Sequence, residues 1–276
     1  MHRISSSLSE RQICARLKTC VFKSGRARCV HCHSYKLIYL KKEDRYHCRR
    51  CRKKSAPFSN TWLRHVKIPW KVFLALLTAW IKEYPIKLAG EACGVSQVTV
   101  RRYYQLFRVN IVKSVEFKPR DNVQVDEAYF GQFRKVSNFY HGFKRYELVD
   151  KICVAGISCP KTGMLAARVI RTFPKTRPIL SFIREQVPVD VKVYSDGSSI
   201  YNDLHKTHRH ESQTHDLGFH NAYFIEGCWS WMKRKLFKMY HHFDRRNAEE
   251  YVAELTWRFN TRKSPKDPWQ FLVDSF

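Results

Sequence analysis

Two pairs of closely spaced cysteines constrain the N-terminal part of the chain more than any other feature. Each pair has the form C-x2-C, and the four members are Cys29, Cys32, Cys48 and Cys51. A C-x2-C turn points two thiolates at one centre, and two such turns complete a tetrahedral zinc site. Because four thiolates close the coordination shell, we expect a structural Zn²⁺ in a zinc ribbon over residues 27–57. Two disulfides are the alternative.

The charge of the chain indicates a polyanionic partner. Lys and Arg number 51 against 24 Asp and Glu, which gives a net charge of +27. A charge of this size repels itself in the compact state, and nucleic acid is its usual counterpart. The sequence has no apolar run long enough to span a bilayer and no apolar segment typical of a signal peptide. We therefore expect a nucleic-acid partner, a reducing compartment and no membrane association.

Residues 68–115 have the outline of a helix-turn-helix. An apolar helix over residues 70–84 ends at Pro85, and a short helix follows over residues 86–93. Gly94 then supplies the turn, and Ser96 is a good N-cap for the next helix. The second helix of such a motif meets base edges with its first residues, which here are Gln97, Thr99, Arg101 and Arg102. An ordinary helical hairpin is the alternative.

Alternating strands begin after residue 117. Val123 and Val125 share one face of a predicted strand, which places Asp126 on the opposite face near the strand's end and Glu127 on the valine side. Strands over residues 148–158 and 164–170 complete a predicted meander, and a helix is expected over residues 175–186. A further strand over residues 189–197 places Asp196 at its end, on the face opposite its valines.

A basic helix is predicted over residues 221–240, and it carries Glu226, Lys233 and Arg234. Two Mg²⁺ ions held by two or three carboxylates can activate an attacking oxygen and stabilise a leaving oxygen in phosphodiester chemistry. Asp126, Asp196 and Glu226 are the candidate ligands. A solvated strand end, an ordinary Asp-Gly turn and a salt bridge between Glu226 and Lys233 are the alternatives for the three acids.

These motifs, in this order, resemble the DDE transposases of insertion sequences related to Merlin elements, the group with an ISXO-like transposase domain. The resemblance extends over about residues 27–262. It rests on the following segments: VDEAYFG at 125–131, SDG at 195–197 followed by Tyr201, IEGCWSWMKR at 225–234, and WRFN at 257–260. A zinc ribbon followed by a helix-turn-helix is also found in that group.

The resemblance implies an α/β fold with a ribonuclease-H-like catalytic domain, a mixed sheet flanked by helices, over residues 118–264. An N-terminal segment over residues 1–26 and a C-terminal tail over residues 265–276 flank the predicted domains. The implied catalytic triad is Asp126, Asp196 and Glu226, which would bind Mg²⁺ or Mn²⁺, with Asn221 as the alternative third ligand.

The implied activity is cleavage of double-stranded DNA at the ends of the element, followed by strand transfer to target DNA. Terminal inverted repeats and target DNA are the expected partners, Lys233 and Arg234 are further expected DNA contacts, and a homodimer or higher assembly is expected on DNA. The expected location is cytoplasmic and associated with the nucleoid, or nuclear in a eukaryotic host. A catalytically inactive DNA-binding regulator and a nuclease of the same fold are the rival functions.

Overall fold

The computed structural model describes residues 4, 7–22, 26–112, 116–131, 134–135, 146–147, 151–172, 175–213, 222–241, 245–264 and 267–276. Helices α1 to α8 are Glu10–Val21, Trp70–Ile81, Ile86–Cys93, Gln97–Ile111, Thr176–Gln186, Tyr223–Tyr240, Ala248–Asn260 and Pro268–Asp274. Strands β1 to β10 are Leu37–Leu40, Arg45–Cys48, Lys54–Ser55, Val123–Phe130, Arg134–Lys135, Tyr146–Glu147, Ile152–Cys159, Met164–Ile170, Val193–Asp196 and His210–Gln213.

The chain forms two compact units. One contains the described residues up to 111 together with residues 267–276, and the other contains the described residues from 112 to 264. Within the described part of the chain, no helix has the length and apolar character needed to cross a membrane.

The first unit contains a small antiparallel sheet in the order β1-β2-β3, with Cys48 at the end of β2 and the other three cysteines of the two pairs in the segments beside the sheet. Helix α1 is closed at its start by a capping box between Ser9 and Gln12. Glu10 also accepts hydrogen bonds from the backbone N–H groups of Trp70 and Lys71 at 2.8 and 2.9 Å, and thereby caps α2. Helix α8 packs on α1, α2 and α4, and its Leu272 is buried in this unit's core.

Helices α3 and α4 lie where the two helices of the predicted helix-turn-helix are expected, and a short turn joins them. Gly94 ends α3 with a φ of 69°, a left-handed conformation that glycine adopts at little cost. Ser96 Oγ accepts a hydrogen bond from the Thr99 N–H at 3.2 Å, as the sequence predicts for an N-cap. The buried face of α4 packs Tyr103 and Phe107 against Phe73 of α2.

The second unit is built on a mixed five-stranded sheet in the order β10-β9-β4-β7-β8. Strands β4, β7 and β8 pair antiparallel, which confirms the predicted meander, whereas β9 pairs parallel with both β4 and β10. Strand β10 lies in a stretch where the sequence pattern predicts no strand. Every residue of β7 is buried, because helices cover both faces of the sheet.

The two faces of β4 serve different purposes. The face of Val123 and Val125 joins the apolar core that contains Val193 and the α5 residues Ile179 and Ile183. Helices α6 and α7 pack on each other, and α6 contacts β4 and β7. The apolar stripe predicted on α6 is buried, and its members are Ile225, Trp229, Met232, Leu236 and Met239.

Candidate active site and metal centre

The four predicted cysteines meet at one point. The Sγ atoms of Cys29, Cys32, Cys48 and Cys51 all lie within 4.8 Å of one another. The Cys29–Cys51 and Cys32–Cys48 separations are 3.6 and 3.5 Å. Four sulfurs at ordinary zinc–sulfur bond lengths around a tetrahedral ion would be about 3.8 Å apart. The cluster therefore has the size and donor set of a structural Zn²⁺ site, and none of the four thiols is in a disulfide.

Backbone N–H groups also favour thiolates in this cluster. Burial works to raise the pKa of the Cys29 thiol, but N–H donation from His31 and Cys32 together with the neighbouring thiols lowers it. The Ser34 N–H works to lower the pKa of the Cys32 thiol, but burial and the same neighbouring thiols raise it, so the thiols share their protons until a cation binds. The backbone N–H of Cys51 lowers the pKa of the Cys48 thiol. Because the thiolate is the form that binds metal, these hydrogen bonds prepare the site for a cation.

Asp126 lies in the middle of the second unit's sheet. It is the fourth of eight residues in β4, so its predicted place near the strand's end is wrong. The strand continues to Phe130 because β7 pairs with it along its whole length after Val123. The predicted face is confirmed, since the indole N–H of Trp229 on α6 donates to Asp126 Oδ2 at 2.9 Å.

Asp196 is the last residue of β9, as the sequence predicts. The parallel register pairs Gln124 with Tyr194 and ends there, two residues before Asp126 and Asp196. Because side chains alternate along a strand, both carboxylates lie on the face of Gln124 and Tyr194, and the charge of Asp196 acts on Asp126. One oxygen of Asp196 also accepts a hydrogen bond from the Ser198 N–H at 3.1 Å, which holds the turn that follows the strand.

The environment of Asp126 disfavours its charged form. Burial raises the pKa of Asp126 to about 7, the negative charges of Glu127 and Asp196 add to the rise, and the Trp229 hydrogen bond opposes it. A carboxyl that lies near other carboxyls releases its proton more readily when a cation is present. Asp126 and Asp196 together are therefore suited to bind a divalent metal at neutral pH.

Glu127 lies on the valine side of β4, as its parity predicts. Its Oε2 accepts a hydrogen bond from the hydroxyl of Tyr201 at 2.5 Å. Burial and the Glu127 carboxylate raise the pKa of Tyr201 well above its usual value. Tyr201 belongs to the 3-10 helix that follows Asp196, so this bond ties the Asp196 segment to β4.

Glu226 is exposed in the first turn of α6, three residues before Trp229. Side chains three apart on a helix are neighbours, so Glu226 lies on the helix surface next to Trp229. The first turn of α6 has a distant partner that the sequence pattern does not reveal. The buried Gln124 accepts hydrogen bonds from the N–H groups of Phe224 and Ile225. Parity placed Gln124 on the Asp126 face, but only the packing of α6 reveals its partner.

The three acids lie on facing elements without forming a compact ligand set. Among the residues that the structure describes, only the four cysteines bring three or more Cys, His, Asp or Glu ligand atoms within 4.8 Å. The alternative third ligand, Asn221, lies outside the described residues.

The predicted DNA contacts lie in both units. Gln97, Arg101 and Arg102 are exposed on α4, whereas the Thr99 hydroxyl is 3.0 Å from that of Ser96 and belongs to the helix cap. Lys233 and Arg234 are exposed on α6. The ammonium group of Lys233 lies 5.7 Å from the ring centre of Phe130, at the far end of the strand that carries Asp126.

Comparison with known proteins identifies the family of the second unit. No curated protein matches the chain. Among solved structures, a cryo-electron microscopy structure of a simian T-cell lymphotropic virus intasome in complex with the PP2A regulatory subunit B56 gamma is similar at 11% identity and a TM-score of 0.34, over 67% of each chain. The family model of the ISXO2-like transposase domain matches residues 119–260, just over half of the 276 residues, so the chain belongs to that transposase family.

Proposed function

We propose that this protein is a DDE transposase that binds the ends of an insertion sequence, cuts the DNA there and transfers the freed strand to target DNA. The observation that carries the proposal is that Asp126 and Asp196 lie on neighbouring parallel strands, close enough for the charge of Asp196 to raise the pKa of Asp126, while α6, which bears Glu226, is held to Asp126 through Trp229. Membership of the transposase family supports the same reading.

Asp126, Asp196 and Glu226 are the residues that would hold Mg²⁺ or Mn²⁺. Asp126 on β4, Asp196 on β9 and Glu226 on α6 would each contribute a carboxylate to the metal site. When bound, the ions supply activation of the attacking oxygen and stabilisation of the leaving oxygen. Carboxylates on a rigid sheet and a packed helix orient such ions with little rearrangement.

The protein's own side chains prepare this chemistry. The sheet fixes the backbone of both aspartates, and Trp229 orients the Asp126 carboxylate through its N–H. Without a cation, the acids would repel DNA phosphates. Metal and DNA should therefore bind with positive coupling, because each reduces the charge cost of the other.

We further propose that the catalytic domain is ribonuclease-H-like and that both units contact DNA. A mixed five-stranded sheet with helices on both faces supports the fold. The exposed positions Gln97, Arg101 and Arg102 on α4 are suited to base edges and phosphates, with Thr99 acting through the helix cap. Lys233 and Arg234 on α6 are suited to phosphates, and the four cysteines would hold a structural Zn²⁺ in the ribbon. The family resemblance leads us to expect a dimer or larger assembly on paired ends.

The test is an assay on DNA that carries the terminal repeats of the element, with Mg²⁺ or Mn²⁺ and a labelled target duplex. The proposal expects cut ends and a joined product, both dependent on the metal. Cleavage without a joined product would favour a nuclease of the same fold. Specific binding without cleavage would favour a catalytically inactive regulator and would contradict the proposal.

A further inference from the structure

Gln124 is a buried polar residue on the strand that carries Asp126. Gln124 is only 5% exposed, and it lies two positions before Asp126 on the same face of β4. Its Oε1 accepts two hydrogen bonds, from the backbone N–H groups of Phe224 at 3.0 Å and Ile225 at 3.1 Å. Both donors belong to the first turn of α6, a hundred residues further along the chain.

These two bonds replace a local helix cap. The first N–H groups of a helix have no partner within the helix, and an N-cap side chain normally accepts from its second or third residue. Phe224 and Ile225 are the second and third residues of α6, but the N-cap position is Ala222, whose side chain makes no such bond. Gln124 therefore does from the sheet what a serine or aspartate at position 222 would do locally.

The cap ends next to Glu226, the proposed third metal ligand. The next N–H, that of Glu226, bonds to the carbonyl of Ala222 at 3.1 Å, so the regular helix begins there. Two bonds to one side-chain oxygen fix both the height and the rotation of this turn relative to β4. One turn later, Trp229 holds the same helix to Asp126.

We propose that Gln124 is a positioning residue that sets the place of Glu226 relative to Asp126. The inference rests on the proposed function of Glu226 as a metal ligand. Without the cap, the first turn of α6 would fray, and the exposed Glu226 would lose its defined position while the buried stripe kept the rest of the helix in place.

Two substitutions separate the cap from simple filling of space. Gln124→Met keeps the length of the side chain and removes the acceptor, whereas Gln124→Glu keeps an acceptor at the same reach. Gln186→Met, on α5 of the same unit, is the matched control for a glutamine-to-methionine change. Each variant is compared in the full chain with its zinc in place, by Mn²⁺ titration and by amide hydrogen exchange over residues 222–228.

We expect Gln124→Met to speed amide exchange at residues 224–226 and to weaken Mn²⁺ binding by about 10-fold or more, as outer partners of metal ligands do. Gln124→Glu should restore slow exchange and most of the Mn²⁺ affinity, and Gln186→Met should change neither. In a Glu226→Gln background, Gln124→Met should weaken Mn²⁺ binding no further, because its effect acts through Glu226.

Two results would overturn the inference while leaving the proposed function intact. One is Mn²⁺ binding that weakens in Glu226→Gln but not in Gln124→Met. The other is an equal loss from Gln124→Met in both backgrounds, which would show a general structural effect. If Glu226→Gln bound Mn²⁺ as tightly as wild type, the proposed role of Glu226 would itself fail, and the positioning role of Gln124 with it.

Discussion

The indole N–H of Trp229 donates a 2.9 Å hydrogen bond to Oδ2 of Asp126, and this bond joins helix α6 to the middle of strand β4. The two residues are 103 positions apart in the chain. The indole lies against Gly156, the residue that pairs with Asp126 across the antiparallel ladder. One contact thus orients the carboxylate and locates the helix that carries Glu226.

Removing the Trp229 donor should weaken both metal binding and the fold. Trp229→Phe loses the N–H and the ring carbons that lie against Gly156, so we expect a destabilisation of about 1–3 kcal/mol and a 10- to 100-fold loss of metal affinity. Chemical denaturation and Mn²⁺ titration measure the two effects. Trp231→Phe is the matched control, because Trp231 lies two residues further on α6 and packs against Phe259. Equal Mn²⁺ affinity in both variants would contradict a role for the Trp229 hydrogen bond.

A methyl group at position 156 should displace Trp229. A Cβ added to Gly156 would lie 2.4 Å from two carbons of the Trp229 ring, which is far inside van der Waals contact. We expect Gly156→Ala to destabilise the protein by about 1–3 kcal/mol and to lower metal affinity as Trp229→Phe does. Denaturant unfolding followed by tryptophan fluorescence reports both the stability and the displaced ring.

Gly227→Ala provides the contrast to Gly156→Ala on the facing helix. A Cβ at Gly227 meets no atom within 4 Å, and alanine is a better helix former than glycine. We expect this variant to match or exceed wild-type stability. A Gly156→Ala protein as stable as Gly227→Ala would show that the Trp229 ring is not held against β7.

The raised pKa of Asp126 makes stability depend on pH in Mg²⁺-free buffer. The pKa is about 7 in the folded chain against an ordinary value of 3.8, so the folded state holds this proton more tightly than the unfolded state. The free energy of unfolding therefore falls as the pH rises from 3.8 to about 7. Above the folded pKa, the full destabilisation by the charged Asp126 is present. Asp126→Asn should remove the cost and stabilise the protein on the order of 2 kcal/mol at pH 8.

The gain in stability from Asp126→Asn should be smaller at pH 5 than at pH 8, because wild-type Asp126 is mostly protonated at pH 5. Urea unfolding at the two pH values measures the difference. Saturating Mg²⁺ should reduce the advantage, since a bound cation stabilises the charged aspartate but not the amide. A variant equally stable to wild type at both pH values would contradict the raised pKa.

The cysteine cluster should be required for the fold around it. Cys48→Ser removes one of four thiolates, and we expect it to abolish tight binding of one Zn²⁺ per chain and to unfold the β1–β3 sheet. Metal analysis and amide exchange over residues 29–55 measure the two effects. Cys14→Ser, which alters a thiol of α1 outside the cluster, should retain both the zinc and the protection. Protection that survives Cys48→Ser would contradict a structural zinc.

Local patterns predicted the helices and most strands well, because their signals lie within a few residues. The apolar spacing of α6 predicted its buried stripe, and the alternation of Val123 and Val125 assigned Asp126 and Glu127 to opposite faces. The C-x2-C pairs predicted a cluster that the structure brings together. In each case a side-chain period or a short spacing carries the information.

Features that depend on distant partners were missed. Strand β10 has a polar, histidine-containing sequence without alternation. It is a strand because its backbone pairs in parallel with the edge of β9. The length of β4 beyond Asp126 reflects its pairing with β7, and the cap from Gln124 depends on where α6 packs. The first turn of α6 has no capping residue of its own, which is the one local sign that a partner elsewhere was required.

The central claim is that Asp126, Asp196 and Glu226 form one metal-dependent site for cutting and joining DNA. The most direct test measures strand transfer by Asp126→Ala, Asp196→Ala and Glu226→Ala on end-repeat DNA in Mg²⁺, each at DNA concentrations that saturate binding. The account predicts that every variant binds DNA and that each loses joined product by a factor on the order of a thousand or more, equivalent to at least 4 kcal/mol of transition-state stabilisation. Full activity in all three would contradict it.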